Sequence, residues 1–125
     1  MLTRKKTRVE QLNELVKEEV SKIILREVDI DRGLLLTITS VKAASNFKTA
    51  TLFFMVLDKT REEEALDTLQ KNTYDIQYRL NRTLRMHPIP KIKFAIDVQG
   101  ERELRLEKLL TDVEKEIKSN PEESQ

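Results

Sequence analysis

Arginines and tyrosines at helical spacing give the clearest chemical signal in this chain, between residues 74 and 98. At about 100° per residue, Arg79, Arg82 and Arg85 fall within one arc of a helix. Tyr78 lies in the same arc, with Tyr74 at its edge. A separate arc is predicted to be the dry side of the helix and consists of Ile76, Leu80, Thr83 and Leu84. Guanidinium groups bind phosphates and exposed aromatic rings stack on bases, so the basic arc predicts RNA binding.

The same arc has a simpler interpretation, because arginine favours helices and a solvated face with three arginines is common. Two observations favour RNA binding. The only tyrosines of the chain lie on or beside the arc, and Asp75 is the only acidic residue between positions 72 and 96. The basic residues 4–6 are equally typical of a solubilising arm and of a segment that contacts the nucleic-acid backbone. Five further cations are predicted as auxiliary contacts to nucleic-acid phosphates: Lys91, Lys93, Arg4, Lys5 and Lys6.

Catalysis has few candidate residues in this sequence. His87 is the only histidine, and no serine or cysteine lies beside it. The absence of cysteine excludes disulfides and thiol nucleophiles, and the two glycines are too far apart for a phosphate-binding loop. The acidic runs at 18–19 and 62–64 are typical of solvated helix faces. We therefore expect no catalytic residue, no metal site and no cofactor, and a role other than that of an enzyme.

Length and composition fit one domain. The chain has 125 residues, of which 38% are hydrophobic, and its formal net charge is +1. That balance hides a local asymmetry, because residues 4–8 and 79–93 are basic whereas acidic residues gather at 10–19, 62–64 and after residue 100. No apolar run approaches the roughly 18 residues of a membrane span, and the N-terminus lacks the pattern of a secretory signal. These features predict a cytoplasmic protein.

The predicted elements begin with a helix. Thr7 and Glu10 have the spacing of a capping box, and apolar residues then recur at helical spacing from about Arg8 to Arg26. A turn at 29–33 leads to two strands at 34–41 and 47–57, which are rich in β-branched and aromatic residues. Their short connection predicts an antiparallel hairpin. The side chains expected to face the core from the first strand are Leu34, Leu36 and Ile38.

A second capping box, Thr60 with Glu63, starts the next predicted helix. Asn72 and Thr73 interrupt that helix, because their side chains compete for backbone hydrogen bonds, so we expect a bend there. The basic helix resumes near Tyr74 and ends before the prolines at 88 and 90.

The last predicted elements are a strand at 91–98 and an amphipathic helix at 101–118, followed by a disordered tail at 119–125. The order is α-β-β-α-α-β-α, which indicates an α+β fold with helices on one face of a three-stranded sheet. One domain is expected over residues 1–118, with a basic arm at 1–7. The strand is predicted to point Ile92, Phe94, Ile96 and Val98 inward, and the helix carries an apolar stripe of Leu106, Leu109, Leu110, Val113 and Ile117.

Three segments of the sequence together form a recognisable pattern. The first is Arg8-Val9 at the start of a helix that closes with ILREV at 24–28. The second comprises the strands LLLTITSV and FKTATLFFMVL, with Ala50 in the latter. The third joins IPKIKF at 89–94 to a run that contains Asp97, Glu101, Arg105, Leu106, Leu109 and Leu110. In order and spacing, these segments resemble the ribosome-binding factor A family, bacterial assembly factors of the small ribosomal subunit.

The resemblance covers roughly residues 8–110 and implies a type-II KH-like fold, αββααβ, without the Gly-x-x-Gly loop of ordinary KH domains. It also implies binding to immature 30S subunits and their 16S ribosomal RNA, with a role in late maturation near the 5′ end, especially in the cold. The family has an Ala-x-Gly kink between its middle helices, and here those positions are Asn72-Thr73-Tyr74.

A protein-interaction module is the alternative function. It would hold a protein partner through the acidic first helix or through the stripe at 106–117. The stripe is short for a coiled coil, so packing on its own domain is favoured and a monomer is expected.

Overall fold

The computed structural model describes residues 6–98, and over that range the elements follow the predicted order. The basic residues Arg4 and Lys5, the predicted helix at 101–118 and the predicted tail at 119–125 lie outside the described residues. Two 3-10 turns, Arg32–Leu34 and Lys59–Arg61, precede the first strand and the second α-helix. The elements are α1 Arg8–Glu27, β1 Thr37–Ala43, β2 Thr49–Met55, α2 Glu62–Lys71, α3 Thr73–Thr83 and β3 Lys91–Ile96.

The three strands form one mixed sheet in the order β1-β2-β3. β1 pairs with β2 antiparallel, which confirms the predicted hairpin, and β2 pairs with β3 in parallel. A parallel pair needs a crossover connection, and α2 and α3 supply it. The predicted α+β, KH-like fold with helices on one face of the sheet is confirmed. The buried residues of the strands share that face and are Ile38, Val41, Ala50, Leu52, Phe54, Ile92 and Phe94.

α1 supplies a large part of the core. Thr7 is its N-cap and accepts a hydrogen bond at 3.1 Å from the backbone N–H of Glu10, as the capping box predicts. Leu15 is one of the apolar residues that recur at helical spacing in this segment, but its side chain is 40% exposed. Each fully buried aliphatic side chain contributes about 1.5–3 kcal/mol, so α1 is held by its buried row of Leu12, Val16, Val20, Ile23 and Ile24.

The first strand begins later than predicted. Leu34 is buried, but it lies in the 3-10 turn, and Leu35 has a left-handed backbone (φ 46°) with a 61% exposed side chain. The chain therefore enters the sheet only at Thr37. A bulge between Ile38 and Ser40 then breaks the simple alternation, and Thr39 donates a hydrogen bond at 2.6 Å to the carboxylate of Asp97.

Two other element ends differ from the sequence prediction. Thr60 is not an N-cap, because Asp58 caps the preceding 3-10 turn by accepting hydrogen bonds from the backbone N–H and the hydroxyl of Thr60. α2 then begins at Glu62 without a side-chain cap. At the other end, β3 stops at Ile96, and Val98 is 49% exposed instead of facing the core.

Each edge strand is tied to a helix by an amide side chain. Asn13 on α1 accepts a hydrogen bond at 2.8 Å from the backbone N–H of Ala43 on β1. Gln77 on α3 accepts at 2.8 Å from the N–H of Ile92 on β3 and donates at 3.1 Å to the carbonyl of Pro90. These amides provide partners that a fourth strand would otherwise supply.

We predict that Gln77→Ala destabilises the fold by about 1–3 kcal/mol, because it leaves the partly buried N–H of Ile92 without its acceptor. Urea denaturation followed by circular dichroism measures the change. Gln70→Ala is the matched control, since Gln70 is exposed on α2. Equal midpoints for the two variants would show that the Gln77 bridge contributes nothing measurable.

A second tie joins the turn before β1 to the start of α2. Arg61 donates to Asp31 at 2.9 Å and to Glu64 at 2.9 Å. The N–H of Gly33 and the Arg61 guanidinium both hold the pKa of Asp31 below its ordinary value, and Arg61 lowers the pKa of Glu64. The same two carboxylates raise the pKa of Arg61.

The stabilisation from this network is predicted to be lost in acid. A carboxyl whose pKa is lower in the folded state stabilises the fold above its unfolded pKa, and that contribution disappears as the pH falls below about 4. Arg61→Gln should therefore lower the denaturation midpoint at pH 7 and have little effect in acid. Arg32→Gln, an exposed change in the neighbouring turn, serves as the control. A deficit for Arg61→Gln that stays constant with pH would contradict this account.

Candidate nucleic-acid interface

α2 and α3 are separated at Asn72, where the sequence predicts a bend or break. The backbone there has φ −100° and ψ 2°, outside the helical region. The Asn72 amide donates to the carbonyl of Thr68, and the Thr73 hydroxyl donates to the carbonyl of Leu69, each at 2.8 Å. The two side chains thus satisfy carbonyls in the last turn of α2. The regular helix is therefore interrupted at Asn72, and α3 begins at Thr73.

α3 has the predicted dry side and an exposed aromatic side. Ile76 and Leu80 are fully buried, whereas Tyr74 is 81% and Tyr78 53% exposed. Positions four apart lie above one another on a helix, so Tyr74, Tyr78 and Arg82 form a continuous stripe along α3. Exposed rings in such a row are suited to stacking on unpaired bases.

Two residues do not lie on the side of α3 that the sequence predicts for them. α3 ends at Thr83 and Leu84 is extended, so helical spacing does not place Arg85 in the basic arc. Thr83 was expected on the dry side but is exposed, and its hydroxyl donates to the carbonyl of Arg79 at 2.9 Å. Leu84, although outside the helix, is buried as predicted.

The arginines of α3 face a groove that also includes the end of α1. The space between the two helices is about 420 Å³. We call it the arginine groove, and it is lined by Ile23, Arg26, Glu27, Tyr78, Arg79, Arg82 and Thr83. Arg26 and Glu27 were not singled out from the sequence, because they lie some 50 residues from α3 and only the packing of α1 against α3 brings them there.

Three guanidinium groups and one carboxylate give the arginine groove a positive balance. Arg79 lies 3.3 Å from a carboxylate oxygen of Glu27, and both side chains are nearly half exposed. The other two arginines, Arg26 and Arg82, are exposed. An exposed ion pair of this kind is worth at most about 1 kcal/mol, so an incoming anion can compete for Arg79.

Arg82 is positioned by the aromatic stripe. Its guanidinium donates to the hydroxyl of Tyr78 at 2.9 Å and lies 5.6 Å from the centre of the ring. Such a contact holds the charge in place while leaving further N–H donors available, because a guanidinium has five.

The auxiliary lysines do not join the arginine groove. Lys91 and Lys93 alternate along β3 with the buried Ile92 and Phe94, so they point to the opposite face of the sheet. Lys6 lies 2.6 Å from a carboxylate oxygen of Glu14 on α1. The structure therefore divides the predicted contact residues between separate surfaces.

Residues 6–98 contain no group of three or more side chains placed to bind a metal ion. His87 lines a shallow, mainly apolar pocket beside Phe47 and Met86. Within the same range, none of the helices combines the length and the apolar character that a membrane crossing requires.

Comparisons of the sequence with a family model and with curated proteins indicate the same family. Residues 8–110 match the family model described as ribosome-binding factor A. A curated ribosome-binding factor A from Coprothermobacter proteolyticus is 34% identical over 111 residues, which cover 89% of this chain and 81% of that protein.

Two structures share the fold. The crystal structure of ribosome-binding factor A from Thermus thermophilus has a TM-score of 0.63 and 21% identity, covering 72% of this chain and 97% of that one. A homology model of the Thermus thermophilus factor, fitted into a cryo-EM map of a 30S complex, has a TM-score of 0.59 and 20% identity, covering 71% and 93% of the two chains. From the family match and the curated relative, this chain belongs to the ribosome-binding factor A family.

Proposed function

We propose that this protein is an assembly factor that binds the immature 30S subunit through its 16S ribosomal RNA. Its role would be to assist late maturation of the subunit, including processing of the 5′ end of 16S RNA, and growth in the cold would depend on it most. It would act in the cytoplasm, where subunits are assembled, and it would hold RNA in place without cleaving it.

The arginine groove is the observation that carries this proposal. It presents three guanidinium groups against one carboxylate, next to two exposed tyrosine rings. Family membership and the 30S complex of the Thermus thermophilus relative support a ribosomal ligand. Together they favour ribosomal RNA over other polyanions.

Phosphate binding in the groove follows from the contacts already present. A phosphate oxygen would replace Glu27 on Arg79 and bind the free donors of Arg82, since charge-assisted bonds from guanidinium to phosphate are strong. Tyr74 and Tyr78 would stack on bases of an unpaired strand. Arg85 remains a predicted phosphate contact. The predicted auxiliary contacts are Lys91, Lys93, Arg4, Lys5 and Lys6.

We expect the triple variant Arg26→Gln, Arg79→Gln, Arg82→Gln to bind small subunits more weakly than the wild type. Removing one cation that binds a phosphate should reduce the slope of log affinity against log salt by about 0.7–0.9, so the slope should fall by about two to three units for the triple variant. Co-sedimentation with purified small subunits over a range of salt concentrations measures both quantities.

A charge-matched control separates the groove from net charge. Lys17→Gln, Lys22→Gln, Lys71→Gln removes the same three charges from exposed positions on α1 and α2. If both triple variants bind alike, the groove is not the RNA contact. Subunit binding that resists salt in every variant would instead favour the alternative, a protein-interaction module.

A further inference from the structure

One face of the sheet is not covered by any helix of residues 6–98. β2 points Ala50, Leu52 and Phe54 into the core, so its intervening side chains point the other way. The described helices pack on the core side, so none of them contacts the second face. The side chains on this second face are Ser40, Lys42, Thr49, Thr51, Phe53, Met55, Lys91, Lys93 and Ala95.

Strand register brings three lysines of this face together. Lys42 pairs with Thr51, and Thr51 pairs with Lys93. Lys42 and Lys93 therefore lie in one row across the sheet, with Thr51 between them. Two strand spacings separate the Cα atoms of the two lysines by about 10 Å. Lys91 lies two residues along β3, roughly 6.6 Å from Lys93. We call Lys42, Lys91, Lys93 and Phe53 the lysine face.

An aromatic ring lies beside the lysine row. Phe53 is half-buried, and its partners across the sheet are the small residues Ser40 and Ala95, which leave space on both sides of the ring. The ammonium of Lys42 lies 5.9 Å from the centre of this ring. Cations around an accessible ring on a flat sheet are the arrangement with which sheet-based RNA modules stack unpaired bases.

The charge of the lysine face is not neutralised within residues 6–98. Two lysines on the helices have carboxylate partners, Glu18 for Lys22 and Asp67 for Lys71. No acidic side chain of the described range forms an ion pair with Lys42, Lys91 or Lys93. The carboxylate of Asp97 lies at the far end of the face, where it accepts a hydrogen bond from Thr39.

We infer that the lysine face is a second RNA-binding site, one that takes a single-stranded segment with phosphates on its three lysines and a base on Phe53. The inference rests on the proposed function, in which the arginine groove binds RNA. A single strand is required because a flat sheet cannot enter a duplex groove to reach a base, whereas an unpaired base can stack on the ring. The core lies between the two sites, so one protein molecule holds two RNA segments.

Titration with a labelled, unstructured single-stranded RNA of about 12 nucleotides tests the inference on the full-length chain. The wild type is expected to bind two RNA molecules. Lys42→Gln, Lys91→Gln, Lys93→Gln should bind one, as should the triple variant of the arginine groove. The control Lys17→Gln, Lys22→Gln, Lys71→Gln should still bind two. Because these side chains are exposed, circular dichroism spectra should be unchanged.

A second variant tests stacking without changing charge. Phe53→Leu keeps an apolar side chain on the sheet and should weaken the second binding event about tenfold while preserving its salt dependence. Replacing one lysine alone, as in Lys93→Gln, should leave the second event measurable and reduce its salt slope by about 0.7 unit.

The possible outcomes separate this inference from the proposed function. If the sheet variant binds RNA like the wild type while the groove variant loses binding, the lysine face is not an RNA site and the proposed function stands. That result is also expected if residues 99–125 or a protein partner cover the face. If only the sheet variant loses binding, the lysine face is the RNA site and the groove is not. No binding by the wild type overturns both.

Discussion

One-sided burial is the constraint on which the rest of this structure depends. A three-stranded sheet has two faces, and the described helices pack on only one of them, where the fully buried residues Val16, Leu52 and Ile76 meet. Packing α1 and α3 side by side on that face creates a groove between their outer surfaces. No helix within residues 6–98 packs on the far side of the sheet, and along β3 the exposed Lys91 and Lys93 alternate with core residues. Both cationic surfaces thus follow from where the hydrophobic core lies.

The features predicted correctly from the sequence are those that depend on the spacing of residues close together in the chain. Alternation along residues 49–56 specifies which side chains of β2 are buried, and helical spacing specifies the buried row of α1. The break at Asn72 is also local, because the competing side chains are its own and that of Thr73. In each case the residues that decide the conformation are close together in the chain.

The features that were missed depend on residues far apart in the sequence or on exact element ends. Arg26 reaches the candidate site only because α1 packs on α3, and Gln77 acquires its role only when β3 lies beside it. Arg85 was placed on a helix that ends two residues earlier, and helix ends depend on tertiary contacts that periodicity does not encode. Thr60 and Glu63 have the spacing of a capping box, but the backbone N–H of Thr60 donates to the carboxylate of Asp58 instead.

The chain passes from α2 to α3 at Asn72 without a glycine. Glycine is needed where φ is positive, but Asn72 has φ −100°, and Tyr74, which stands at the glycine position of Ala-x-Gly, lies within the helix α3. The turn is held by hydrogen bonds from the side chains of Asn72 and Thr73 to carbonyls of α2. Asn72-Thr73-Tyr74 is therefore compatible with an interruption between the two helices, and Tyr74 begins the aromatic stripe directly after it.

The amide bridges to the two edge strands have a consequence for association between copies of the protein. An edge strand with unpaired N–H groups is a template on which another chain can add a strand and aggregate. In this protein the side chain of Asn13 accepts a hydrogen bond from the N–H of Ala43, and the side chain of Gln77 accepts one from the N–H of Ile92. One backbone donor on each edge strand is therefore not available to another chain. Lys91 and Lys93 add charge along β3, which natural proteins use against edge-to-edge pairing. The lysines that we assign to RNA would thus also keep the protein from aggregating when no RNA is bound.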